Sequence, residues 1–230
     1  MLENLIDIDK QLTLLLNGSG SLFLDGLAFT ATSTIVWIAL YLSLFYVIIR
    51  SGDMKFIALT VLAVVVCIVL ADQGASGICK PLVQRFRPSQ DPSLLLSVDI
   101  VGGYRGGMYG FFSSHAANTI AVATFFSLLT RCRPVTIHLY FWALLNCWTR
   151  VYLGVHYVGD LLVGIVYGTL VGCIVYFLYR KVIPAPSVSI KPDSNGATTV
   201  SGFALSDLRI IPLALILTYI YICFCAVAFI

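Results

Sequence analysis

Residues 56–71 read FIALTVLAVVVCIVLA, sixteen positions with a single hydroxyl, Thr60, and no charge. With its flanks the run extends over 55–78, and about 20 mostly apolar residues are enough to cross a bilayer. Working outward, the same reading recurs over 31–50, 111–130, 134–150, 157–179 and 208–230, which makes six candidate spans. Lipid offers the backbone no hydrogen-bond partner, so runs of this length imply helices. The alternating pattern of a membrane β-barrel is missing from them. Hydrophobic residues make up 59% of the 230 positions and charged residues 11%, against about 25% charged in soluble domains. The expectation is an all-α fold, an integral membrane bundle of about six transmembrane helices.

The ends of the chain differ from this pattern. Residues 1–30 form an amphipathic N-terminal segment, with Leu2, Leu5, Ile6, Leu12 and Leu15 set among charges. It reads as a helix lying on the membrane surface, broken at Asn17-Gly18-Ser19-Gly20. Glu3, Asp7 and Asp9 outweigh Lys10, the wrong charge for a cleaved signal sequence, so the first span is expected to insert and stay. A transmembrane domain over 31–183 is followed by a linker at 184–206, expected in solvent, and a final helix at 207–230. The loop 87–110 holds Gly102, Gly103, Gly106, Gly107 and Gly110; so many glycines predict a mobile loop over whatever lies beneath.

If the spans alternate, eight Lys and Arg residues fall on one side and six on the other. The positive-inside rule puts the richer side in the cytoplasm, so the long loop faces outward. Of the seven cysteines, Cys67, Cys147, Cys173, Cys223 and Cys225 lie inside spans without metal-type spacing. They read as small apolar residues, and no metal site is expected.

Ionisable residues at bilayer depth are costly, about 2.5–3.5 kcal/mol each on insertion scales, and so are informative. Away from the tails and turns they fall into three groups: Lys80 to Arg87-Pro88, Ser113-Ser114-His115, and Arg150 to Asp160. Alternation of the spans places all three on one membrane face. Lys80, Arg87 and Arg150 would share a confined pocket, where mutual repulsion favours an anion, and arginine forks suit phosphate oxygens. Ser113 and the N–H groups of the helix it opens add to the same field. His156 and Asp160 are four apart and share a face if a helix begins there. A carboxylate on one imidazole nitrogen leaves the other as an oriented nucleophile, and His115 is then free to protonate a leaving alcohol. Asp72 lies four residues before Ser76 and eight before Lys80, a candidate partner behind the cations.

Each residue also has an ordinary reading. A lone basic residue at a helix end is usually a head-group anchor, and Arg85 and Arg105 are read so. His138 reads as a structural histidine, and Ser-Ser before a helix is by default an N-cap. The joint pattern is far harder to meet by accident.

That pattern resembles the type 2 phosphatidic acid phosphatase superfamily, which also includes the vanadium haloperoxidases: K-x6-R-P, then P-S-G-H, then S-R-x5-H-x3-D. Here the matching residues are Lys80 to Arg87-Pro88, Phe112-Ser113-Ser114-His115, and Thr149-Arg150 to His156 and Asp160. The resemblance covers roughly residues 30–180, in order. It implies a haloperoxidase-like helical core and metal-independent phosphatase chemistry with no cofactor. His156 becomes the nucleophile that forms a phosphohistidine, Asp160 its orienting partner and His115 the general acid. Lys80, Arg87, Ser113, Ser114 and Arg150 would bind phosphate, with Asp72 behind Lys80. Phe112, Ser114 and Thr149 depart from the family's Pro, Gly and Ser. The Ser114 change bears on a backbone N–H contact that glycine would ease, although a helical serine still donates its N–H.

The expected partners are a membrane lipid substrate and the bilayer, not nucleic acid; the oligomeric state is left open. Lipid A and undecaprenyl pyrophosphate are the favoured substrates, in a bacterial inner membrane with the site facing the periplasm. A lipid phosphotransferase and a non-enzymatic lipid or anion transporter are the alternatives.

Overall fold

A computed structural model describes residues 2–183 and 197–228. It contains α1 (Leu2–Leu16), α2 (Leu22–Ala31), α3 (Ile38–Ser51), α4 (Met54–Asp72), α5 (Lys80–Val83), α6 (Ser114–Thr130), α7 (Arg133–Tyr152), α8 (Val158–Val182), α9 (Leu205–Leu208) and α10 (Ile210–Ala228). Four helical stretches, at Thr34–Ser51, Met54–Val83, Val158–Val182 and Leu205–Ala228, are long and apolar enough to cross a membrane. With α6 and α7 as an inner pair they account for the six-span bundle.

The centre is α6. Twelve of its 17 residues are buried, so it presents no single apolar stripe but is enclosed on nearly every side. Its tightest neighbour is α8, through Gly164, Gly168 and Gly172 at four-residue spacing. A Cβ at Gly168 would lie 2.4 Å from the Ala117 carbonyl oxygen, and one at Gly164 2.8 Å from that of Ser113. Small residues at this spacing let two backbones approach where lipid offers no hydrophobic driving force. The consequence is functional, since the approach locks the start of α6 to the start of α8. Ser113 N–H donates to the Asp160 carbonyl oxygen at 3.1 Å.

Between α4 and α5 the helix widens into a π segment, Gln73–Cys79. Such wide turns often sit at functional sites. Here the wider turn keeps Asp72, Ser76 and Lys80 in register, in a chain from Lys80 Nζ to Ser76 Oγ (3.0 Å) and on to Asp72 Oδ1 (3.3 Å).

Several expectations change. The N-terminal segment is two helices, and α1 is docked on the bundle as well as amphipathic. Asp9 accepts from Gly159 N–H at 2.8 Å and Thr13 Oγ1 from Val158 N–H at 3.1 Å, satisfying two orphan donors at the start of α8. Leu5, Ile8, Leu12 and Leu15 remain exposed on α1, an apolar stripe suited to the membrane interface. The glycine-rich loop is stitched down, because its glycines make turns between tethers. Its base is closed by the Phe86–Tyr109 bridge. Beyond that, Ser89 N–H donates to the Gly154 carbonyl at 2.9 Å, and Asn17 brackets Asp99 through bonds of 3.0 and 2.7 Å.

The linker's first part, 184–196, lies outside the described residues. Its last part is packed and not in solvent: Thr198 and Ala204 form a β-bridge, Ser201 Oγ donates to the Thr130 carbonyl at 2.8 Å, and Phe203 is buried against Phe56. The final helix packs on α2 and α3, with Tyr219 edge-on to Trp37 at 6.0 Å.

Candidate active site

His156 sits in the short turn between α7 and α8, 1% exposed. Its Nδ1 lies 3.3 Å from Asp160 Oδ2, and its Nε2 lies 3.2 Å from Arg87 Nη1. A guanidinium can only donate, so Nε2 is the acceptor and the proton resides on Nδ1, facing the carboxylate. Burial, then the charges of Arg87 and Arg150, hold His156 well below the ordinary histidine value. The imidazole is therefore neutral, with the lone pair of Nε2 turned toward Arg87. The sequence suggested a shared helical face for His156 and Asp160, but α8 begins only at Val158. The contact arises instead because Asp160, in the first turn, folds back over the helix start, where Oδ2 also accepts from Tyr157 N–H at 3.1 Å.

Arg87 and Arg150 are 9% and 2% exposed. Arg87 Nη1 also donates to the Val155 carbonyl at 3.0 Å. Burial and the neighbouring Arg150 lower its pKa from the guanidinium value. Arg150 donates to Thr32 Oγ1 and to Tyr104 Oη, the latter at 3.2 Å. Its own carbonyl receives the N–H groups of Val155 and His156 at 3.0 and 3.2 Å. Both arginines keep a buried Nε with no hydrogen-bond partner among the described residues. A buried donor left unsatisfied costs about 1–3 kcal/mol, so two together mark a place where an acceptor-only group, such as a phosphoryl oxygen, belongs.

Lys80 Nζ reaches Ser114 Oγ at 3.2 Å, joining α5 to the start of α6. Ser113 is fully buried and caps α6, its Oγ accepting from Ala116 N–H at 3.4 Å. His115 follows on the first turn; among the described residues its ring has no hydrogen-bond partner. It borders a cavity together with Ser114 and Asp72. The residues singled out in the sequence thus come to one end of the bundle. Gly110 closes the pocket from above: a Cβ there would meet Asp160 Oδ2 at 3.0 Å and Arg87 Cγ at 3.2 Å.

Arg85 corrects the sequence reading most sharply. Far from anchoring a head group, it pairs with Asp160 Oδ1 at 3.1 Å and Asp9 Oδ2 at 2.8 Å and lies 3.9 Å from the centre of the Tyr157 ring. Arg105 is exposed but tied within its loop, donating to the Ser89 carbonyl at 2.8 Å. His138 is half-buried, with Nδ1 2.8 Å from the Pro134 carbonyl of its own helix. Asp9, Thr32, Tyr104 and the α8 glycines escaped notice; only the glycine spacing was visible in the sequence.

The sequence pattern of the PAP2 superfamily matches residues 56–184, which carry all three motif groups. The chain belongs to the PAP2 superfamily. It is thereby placed among membrane phosphatases that cleave phosphoric esters. The chain is 40% identical over 182 residues to a protein of Bacteroides thetaiotaomicron named lipid A 4'-phosphatase, covering 79% of this chain and 81% of that one. A Porphyromonas gingivalis protein of the same name is 33% identical over 178 residues, 77% of this chain and 75% of its own. No solved structure matches the chain.

Proposed function

We propose that this PAP2 superfamily member hydrolyses a phosphate from lipid A, with undecaprenyl pyrophosphate as the second candidate, through a phosphohistidine at His156. The observation that carries the reading is the neutral His156 imidazole. Its Nδ1 is held by Asp160 and its Nε2 lies 3.2 Å from Arg87 Nη1, and Arg87 and Arg150 each keep a buried Nε without a hydrogen-bond partner among the described residues. His156 Nε2 attacks phosphorus as the bond from phosphorus to the lipid oxygen breaks, and His115, protonated once the bound phosphate offsets the neighbouring cations, gives its proton to that departing oxygen. Neutral His115 then takes a proton from water, whose oxygen attacks the phosphohistidine. Inorganic phosphate leaves and His156 is restored. Lys80, Arg87, Arg150, the Ser113 hydroxyl and the Ser114 N–H bear on the phosphoryl oxygens, where preorganised donors supply most of the rate enhancement in phosphoryl transfer. Asp72 supports Lys80 through Ser76.

The site is proposed to face the periplasm of a bacterial inner membrane. The cations at its end of the bundle are engaged internally, including Lys10 with Asp91 at 3.3 Å, which leaves the opposite end to follow the positive-inside rule.

The test is phosphate release by detergent-purified protein and its His156→Ala variant in excess EDTA, on lipid A, undecaprenyl pyrophosphate, phosphatidylglycerophosphate and phosphatidic acid. Release by the unmodified protein alone, with 32P trapped on it under alkaline quench, is the expected result. Equal release by both proteins would remove His156 as nucleophile, and label passing to a second lipid would make the enzyme a phosphotransferase.

A further inference from the structure

Beside His115 a cavity of about 440 Å³ opens between α3, α4, α6 and α7. Resting on the phosphatase reading above, we infer that this cavity receives the departing half of the substrate and is built for a neutral, hydroxyl- and amide-bearing sugar ring, not a second phosphate.

Three observations support this. First, the lining includes no lysine or arginine, and its one carboxylate is Asp72. Cleaving a pyrophosphate would leave a phosphate monoester anion in this space, facing a carboxylate, while Lys80 and Arg150 reach only the lining residues Ser114 and Thr32 and are taken up by the transferred phosphoryl group. Cleaving a sugar phosphate leaves an uncharged alcohol. Second, one wall is aromatic: Trp142 stands edge-on to Trp37 at 6.2 Å and to Tyr41 at 6.4 Å. The rest of the lining brings uncharged polar groups, Thr34, Asn118, Thr119 and Asn146, together with apolar Ile68 and Val122. Among them Asn118 Oδ1 and Trp142 Nε1 are buried without hydrogen-bond partners among the described residues. An unmatched acceptor and an unmatched donor suit a ring that carries hydroxyl and amide groups. Third, the volume lies within the roughly 300–1,000 Å³ of small-molecule sites. Tyr41 and Ile68, 40% and 42% exposed, place its mouth between α3 and α4, so acyl chains can remain in lipid while the ring sits inside.

The test compares kcat/KM on lipid A, phosphatidic acid and undecaprenyl pyrophosphate for the unmodified protein and for Asn118→Leu, Trp142→Phe and Asn118→Lys. Phosphatidic acid offers a neutral leaving group without a sugar. The unmodified protein should prefer lipid A to the pyrophosphate by about 100-fold. In Asn118→Leu and Trp142→Phe the ratio of lipid A to phosphatidic acid turnover should fall about tenfold. Asn118→Lys, which brings a cation to the wall, should narrow the gap to the pyrophosphate. A preference for the pyrophosphate in the unmodified protein would overturn the inference. So would equal losses on both monoesters, which mark a merely structural role for the two side chains. If a folded protein releases phosphate from none of the lipids, the phosphatase reading itself falls, an outcome distinct from a wrong substrate order.

Discussion

The two ends of the bundle carry similar numbers of cations and treat them in opposite ways. At the end that holds His156, Arg87 and Arg150 are buried and Arg85 is locked between Asp160 and Asp9. At the other end, Arg50, Lys55, Arg131, Arg133, Lys181 and Arg209 are exposed, and Arg50 meets Asp207 only at 3.7 Å with over half its side chain open. A buried cation is costly without an anion, whereas an exposed one at a membrane surface is solvated and free to meet head groups. The difference separates buried, internally paired charge from exposed charge, which composition alone could not do.

The comparison can be broken by mutation. Arg150→Ala should reduce kcat by about 100- to 1,000-fold on any accepted substrate, as expected when a preorganised oxyanion donor is removed. A loss confined to KM would mean that the arginine only gathers substrate.

Next in size is Arg85→Gln, which frees the Asp160 carboxylate from one of its partners and cuts one of the ties to α1. A fall of about tenfold in kcat is expected, partly recovered by Arg85→Lys, since the lysine keeps the charge but not the fork. Asp9→Asn should shift activity in the same direction. Unchanged activity in all three would confine the Arg85 network to stability.

The pH response sharpens the same contrast. Because burial holds His156 below its ordinary value of 6.5, lowering the pH from about 8 to 6 should not protonate this proposed nucleophile. Any acid limb that belongs to it should therefore lie lower. Stability moves the other way: below 6.5 the unfolded chain binds a proton at this histidine and the folded chain does not. Acidification therefore destabilises the fold, progressively, until the folded-state value is reached. Replacing His156 with glutamine should flatten that slope, measured as thermal unfolding against pH.

The smallest effect is expected at the far end. Arg50→Ala should change unfolding stability by no more than about 0.5 kcal/mol and leave turnover intact, as is usual for an exposed ion pair. A large loss of turnover there would erase the distinction between the two ends.

Some of this was open to reading before any coordinates. The apolar run 56–71 requires a spanning helix whatever surrounds it, because the bilayer leaves the backbone no other partner. The spacing from Lys80 to Arg87 and from Arg150 through His156 to Asp160 identified a phosphate-handling family, since those residue types carry their chemistry wherever they are placed. The glycine-rich loop misled because glycine marks a turn without telling what tethers it; its tethers, Asn17 and Gly154, lie far away in sequence. Arg85 misled for the same reason, as its partners Asp9 and Asp160 are 76 and 75 residues distant.

By itself, then, the sequence determined the membrane, the helices and the inventory of reactive groups, all of which follow from local composition and spacing. The tertiary structure alone decided which groups meet. The approach of α6 to α8 across Gly164, Gly168 and Gly172, the docking of α1 on the start of α8, and the cavity beside His115 depend on contacts between distant segments. Such contacts are set by packing and by the need to pair buried polar groups, and no local pattern encodes them.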